Sequence, residues 1–201
     1  VQGAGKLVLT ADPITFTEEN IGIYTVAVNC NDIVAMGGHP VYLITTILLP
    51  PGTARSRLRT VFRELQQASQ AAGVLWVGGH TEVSSAVTRI VISAQAVGFL
   101  RHRLTRTSDA SPGQLLVMTK WAALEATTLI ARDRPDDARI LLGQRAHRSV
   151  LRWLRDPGIS IIRTRSPYFS PNSATAPRCL ASARAMSSWR MTARLASTWL
   201  L

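Results

Sequence analysis

The sequence predicts an α+β layer: a mixed, largely antiparallel sheet with helices on one face. Two observations carry this. Strand-like and helix-like segments are interspersed along the first hundred residues, in the order β-α-β-α-β-β. Then strand-like runs follow one another with no helix between them, which requires antiparallel neighbours rather than repeated crossovers.

Residues 6–12 (KLVLTAD) are apolar and β-favouring, and Asp12-Pro13 ends the run. Thr15–Asn20 is polar and rich in helix-capping types. From Ile21 the spacing of Tyr24, Val28, Val34 and Ala35 fits a helix face, and Gly37, Gly38 and Pro40 stop it. Val41–Leu49 is β-branched and apolar, a buried strand closed by Pro50-Pro51-Gly52. Residues 54–72 form the clearest helix. Leu58, Val61, Phe62, Leu65, Ala68 and Ala72 recur at helical spacing, with Arg and Gln on the other face. Val74–Val77 predicts a short strand running into a Gly78-Gly79 turn. Val87–Leu100 predicts a long strand, Gln114–Thr119 another, and Trp121–Arg132 and Asp136–Arg155 two helices.

At 201 residues with 46% apolar content, the chain has room for one core of ordinary size. No apolar run reaches membrane-spanning length. The N-terminus has no signal-peptide pattern, and Cys30 and Cys179 lack metal-like spacing; together these predict a reducing, cytoplasmic setting. The formal charge of +11 raises the question of nucleic acid. Its distribution argues against that partner. Residues 1–156 carry 17 Lys and Arg against all 12 acids, whereas residues 157–201 carry six Arg and no acid.

Two polar constellations stand out. Asp12, Asn29, Asn31 and Asp32 sit within otherwise apolar segments, where an unpaired carboxylate is costly to bury. On a helix Asn29 and Asp32 share a face, and Asn31 points about 100° from Asp32. Gly78, Gly79, His80, Thr81 and Glu82 follow a short strand. Hard oxygen ligands suit a Mg²⁺ that also holds phosphates, and paired glycines let backbone N–H groups approach an anion. On spacing alone, Asp32 reads equally as a solvated helix acid, Gly78-Gly79 as a plain turn, and His80 as an ordinary surface or packed histidine. No Walker A loop, GxSxG, CxxC or HExxH motif is present.

The segments TADPITF, NIGIYTVAVNCNDIVAMGGHP, GVLWVGGHTEV and LLVMTKWAALEATTLIARD, in that order, resemble the aminoimidazole ribonucleotide (AIR) synthase superfamily over roughly residues 3–160. That superfamily includes hydrogenase-maturation carbamoyl dehydratases, selenophosphate synthetases and thiamine-monophosphate kinases. The resemblance implies an ATP-binding N-terminal domain that pairs with a second copy through its sheet. It implies Mg²⁺ held by Asp12 and Asp32, and ATP phosphates held by Asn29, Asn31, Gly78, Gly79, His80 and Thr81. Other members write Asp or Glu in place of His80. The implied chemistry is ATP-dependent activation of an oxygen, or phosphoryl transfer, on an unnamed small molecule. The alternatives are a fragment of a thiamine-monophosphate-kinase-like or hydrogenase-maturation-like enzyme, and a dimerising domain without catalysis.

There are departures. The family's Gly-rich segment with an Asp pair does not precede the first matched strand, and Trp121 and Ala126 stand where Gly is usual. Residues 164–201 contain no acid, Lys or Gly and have no period. A GC-rich gene read in another frame produces such a composition, so a frameshift near Arg163 is the expectation. A genuine basic tail that contacts RNA is the alternative. The expected organisation is therefore an AIR-synthase-like domain over 1–160, incomplete on its own and inactive alone, followed by a basic tail over 161–201.

Overall fold

Apolar or small residues at alternate positions of Val91–Leu100 bury Ile92, Ala94, Ala96 and Gly98 and leave their neighbours half-exposed, as in a strand with one covered face. That strand, β4, is central to the sheet. In the computed structural model, which describes residues 6–100, 104–114, 123–154 and 159, the first six elements are β1 (Leu7–Ile14), α1 (Ile21–Ala35), β2 (Gly38–Leu49), α2 (Arg55–Ala72), β3 (Leu75–Val83) and β4. The sheet order is β1-β4-β2-β3. β4 is antiparallel to both neighbours, and β2 and β3 are parallel, with α2 as their crossover. The sheet is mixed, as the sequence predicts.

α1 is apolar on most of its circumference and buries Ile21, Tyr24, Val26, Ala27, Cys30 and Ile33. A helix of that kind needs cover on two sides. It has the sheet on one, against β1, β4 and β2, and α2 on the other. Gly22 makes the helix pair possible. A Cβ there would lie 2.6 Å from the Leu65 backbone nitrogen. The Gly22 N–H, an unpaired donor in the first turn of α1, donates instead to the Glu64 carboxylate of α2 at 3.0 Å. Burial pushes the Cys30 thiol up to about 12, so it serves as a small core residue.

Several boundaries differ from the sequence reading. β2 begins at Gly38, not Val41, and pairs with β4 through His39 and Pro40. β1 continues through Pro13 to Ile14, because an outermost strand tolerates a proline. β4 begins at Val91, not Val87. The Ile90 N–H leaves the ladder and donates to the Glu18 carboxylate at 2.9 Å. Gly78 and Gly79 are not a turn: both lie within β3, opposite Ile44 and Thr45, just past a register shift that leaves Val77 unpaired.

The chain divides into two compact units, residues 1–114 and 115–201. A short 3-10 turn, Thr107–Asp109, belongs to the first. In the second, α3 (Leu124–Asp133), α4 (Pro135–Leu142) and α5 (Gln144–Arg152) pack around Ala131, Ala138 and Val150. The single helix expected over 136–155 is two, broken at Gly143 with φ +76°. Buried His147 of α5 lies 2.7 Å from the Ala131 carbonyl, one of the last-turn acceptors of α3. The strand expected over 114–119, Trp121 and the tail from 161 fall outside the described residues, apart from Gln114 itself.

Candidate functional site

Side chains alternate along β1, so Val8, Thr10, Asp12 and Ile14 face α1, while Leu7, Leu9, Ala11 and Pro13 face away. Thr10 and Asp12 are therefore neighbours on the helix side at the outer edge of the sheet. From above, α1 lowers Asn29 and Asp32, one helical turn apart, onto that pair.

Asn29 is fully buried, and its amide is wholly engaged. Its Oδ1 accepts from the Asp12 backbone N–H at 3.1 Å. Its Nδ2 donates to the Asp12 carbonyl at 3.2 Å and to the Thr25 carbonyl at 3.0 Å. β1 is thus fastened to α1 at one residue, and both free backbone groups of Asp12 are satisfied. The Thr10 hydroxyl donates to Asp32 Oδ2 at 2.8 Å and orients that carboxylate. Partial burial pushes the Asp12 carboxyl above the usual carboxylate range, and the nearby charge of Asp32 adds to the rise. The two carboxylates, one half-buried and one exposed, are thus close enough to perturb one another, and among the described residues neither makes an ion pair.

Asp12 and Asp32 are thereby brought together, with Asn29 beneath them and Asn31 half-buried beside Asp32 on α1. Thr10 was not singled out by the sequence, although its i, i+2 spacing from Asp12 on a strand was a readable signal. Among the described residues no cluster of three or more His, Cys, Asp and Glu exists. A pair of hard oxygens alone fits an ion such as Mg²⁺, which keeps water or phosphate oxygens for its remaining positions.

Gly78, Gly79, His80 and Thr81 lie elsewhere. β3 is the opposite outer strand, with β4 and β2 between it and β1, a span of roughly 14 Å across three strand spacings. Register sets His80 beside Thr46 and Glu82 beside Leu48, on the sheet face away from the helices. His80 Nε2 and Glu82 Oε2 are 3.1 Å apart and exposed. Gly79 allows a close backbone approach, since a Cβ there would lie 1.8 Å from the Thr45 carbonyl oxygen. Within one chain, then, the two groups of candidate residues stand on opposite outer strands.

The sequence of residues 1–100 matches the family described as AIR synthase related protein, N-terminal domain. A putative hydrogenase expression/formation protein of Methanocaldococcus jannaschii is 28% identical over 123 residues, 58% of this chain and 37% of that protein. A thiamine-monophosphate kinase of Pyrococcus horikoshii is 30% identical over 118 residues, 59% of this chain and 37% of the kinase. The chain thus spans well under half the length of these curated relatives. A solved protein of Thermus thermophilus has the same fold at a TM-score of 0.58 and 19% identity, over 78% of this chain and 50% of that one.

Proposed function

Since residues 1–100 belong to the AIR synthase-related N-terminal domain family, we propose that the chain binds ATP together with Mg²⁺, as the nucleotide-binding part of an ATP-dependent enzyme that activates an oxygen or transfers a phosphoryl group. The observation that carries this reading is the Asp12–Asp32 pair, oriented by Thr10 and held by Asn29. In this reading Asp12 and Asp32 hold the metal. Asn31 and the β3 segment Gly78, Gly79, His80 and Thr81 contact the phosphates, and Asn29 acts through the backbone of Asp12. The bound ion would supply charge neutralisation at the phosphates, where most of the catalytic benefit in this chemistry arises. The kinase among the relatives is consistent with a phosphate donor.

The partner in this proposal is a second copy. The sheet face away from α1 and α2 is apolar and open. One cross-sheet row runs Leu9, Val97, Tyr42, Leu75, with Leu9 67% and Leu75 62% exposed. Contiguous apolar surface of that kind marks an association site. A second copy against this face would bury it, along with the His80–Glu82 pair at its polar end. The same face supports the second reading, a dimerising domain without nucleotide chemistry.

Calorimetric titration with ATP and Mg²⁺ separates the two. The first reading expects Mg²⁺-dependent heat that is lost in Asp32→Ala, a substitution at an exposed position that leaves the fold intact. Absence of heat and of any thermal shift at millimolar ATP would refute it.

A further inference from the structure

α2 has a face that neither the sheet nor the carboxylate pair uses. Arg55, Arg59 and Arg63 recur every four residues, so they form a row with about 6 Å between successive members, and all three are exposed. The only acid on this helix, Glu64, points the other way, into its bond with the Gly22 N–H. Among the described residues Arg59 and Arg63 make no ion pair. Beside the row, Leu58, Phe62 and Gln66 form an open, shallow strip on the same face of the helix. The strip is braced. The Phe62 ring packs 5.3 Å from Trp76, whose indole N–H donates to Thr45 Oγ1 at 3.0 Å.

We propose that this face of α2 docks an acidic, amphipathic segment of a different protein. A large apolar side chain of the partner sits on Leu58 and Phe62, and carboxylates spaced one helical turn apart meet Arg59 and Arg63.

The chemistry narrows the occupant. A second copy would bring the same row of guanidiniums, and like charges facing each other oppose association. Residues 157–201 contain six Arg and no acid, so they cannot supply the counter-charge. A nucleic acid would satisfy the arginines but leave the Leu58–Phe62 strip without an apolar cover, which is where burial contributes. An amphipathic acidic helix laid along this face satisfies both. The inference does not rest on nucleotide binding, because none of these residues belongs to the carboxylate pair or to the candidate residues on β3.

The test is fluorescence anisotropy of the full chain with labelled helical peptides of about 15 residues, rich in Glu and carrying Leu at three- and four-residue spacing. The expected result is saturable binding, weakened about tenfold or more by R59E/R63E and restored to that variant by the matching Lys peptide. Replacing the peptide's leucines with serine should weaken binding about tenfold, and Leu58→Ser in the protein should reproduce that loss. R59Q/R63Q serves as the milder variant if charge reversal lowers the yield of folded protein. The proposal is overturned if no peptide binds, if the arginine variants bind as wild type does, if the leucine-free peptide binds equally well, or if single-stranded RNA binds more tightly than the peptide.

Discussion

Asn29 shows what a polar side chain in an apolar helix can do for the fold. A fully buried amide must find partners, and every partner of Asn29 is backbone: Asp12 twice and Thr25 once. Sequence spacing put Asn29 and Asp32 on one face, which holds. It could not reveal that one side chain would fasten a strand 17 positions away, since that depends on how α1 lies over β1. Thr10 escaped notice because threonine in a strand is ordinary. Glu64 was hidden as well, an acid on a polar helix face until Gly22 lets the two helices close. Burial raises the Glu64 carboxyl by more than the Gly22 N–H and Arg57 lower it. The folded state therefore holds this proton more tightly than the unfolded state does. The stability it contributes is complete below the unfolded value and lost as pH rises through the folded one. Glu64→Gln keeps an acceptor for Gly22 and removes the charge. Wild type should then lose melting temperature relative to E64Q as pH climbs through the carboxylate range. A gap that stays constant with pH in parallel thermal melts would contradict this.

At the level of elements, β3 is the instructive case. Two adjacent glycines are a strong turn signal, yet here they are extended, with φ of +154° and +155°. Glycine inside a strand also marks a bulge or a close backbone approach, and both occur: Val77 is unpaired and the Thr45 carbonyl crowds Gly79. The alternation of His80, Thr81, Glu82 and Val83 after the glycines was the clue that the strand continues. The two glycines should respond differently to substitution. Gly79→Ala forces a Cβ onto a carbonyl and should cost about 3 kcal/mol or more, whereas Gly78→Ala meets no atom within 4 Å and should cost about 1–2 kcal/mol for its backbone angle alone. Urea denaturation midpoints of the two variants measure the difference; equal midpoints would mean that the strand yields at Thr45. Gly143 is the converse: read as part of one helix, it ends α4, and its φ of +76° is the reason.

For the molecule as a whole, the order of elements over the first hundred residues was legible, because hydrophobic periodicity changes sharply between strands and helices there. Strand pairing was not. That β1 and β3 become the two outer strands follows from β4 inserting between β1 and β2, a non-local choice that no window of sequence contains. For the same reason the sequence could not show that its two groups of candidate residues lie on opposite outer strands. The open apolar face bears on how copies associate. Carboxylates introduced there, as in Leu9→Glu with Ile44→Glu, should convert the proposed dimer to a monomer in light scattering with little change in the thermal melt, because both side chains are already well exposed. Dimers that persist in this double variant would place the interface elsewhere. One feature also decides where copies do not join. The outer rim of a terminal strand normally offers unpaired amides and carbonyls on which another chain can grow, the first step toward fibrous aggregates. The side chain of Asn29 already occupies that rim at Asp12. The fastening that steadies a carboxylate therefore also blunts a templating edge at that position.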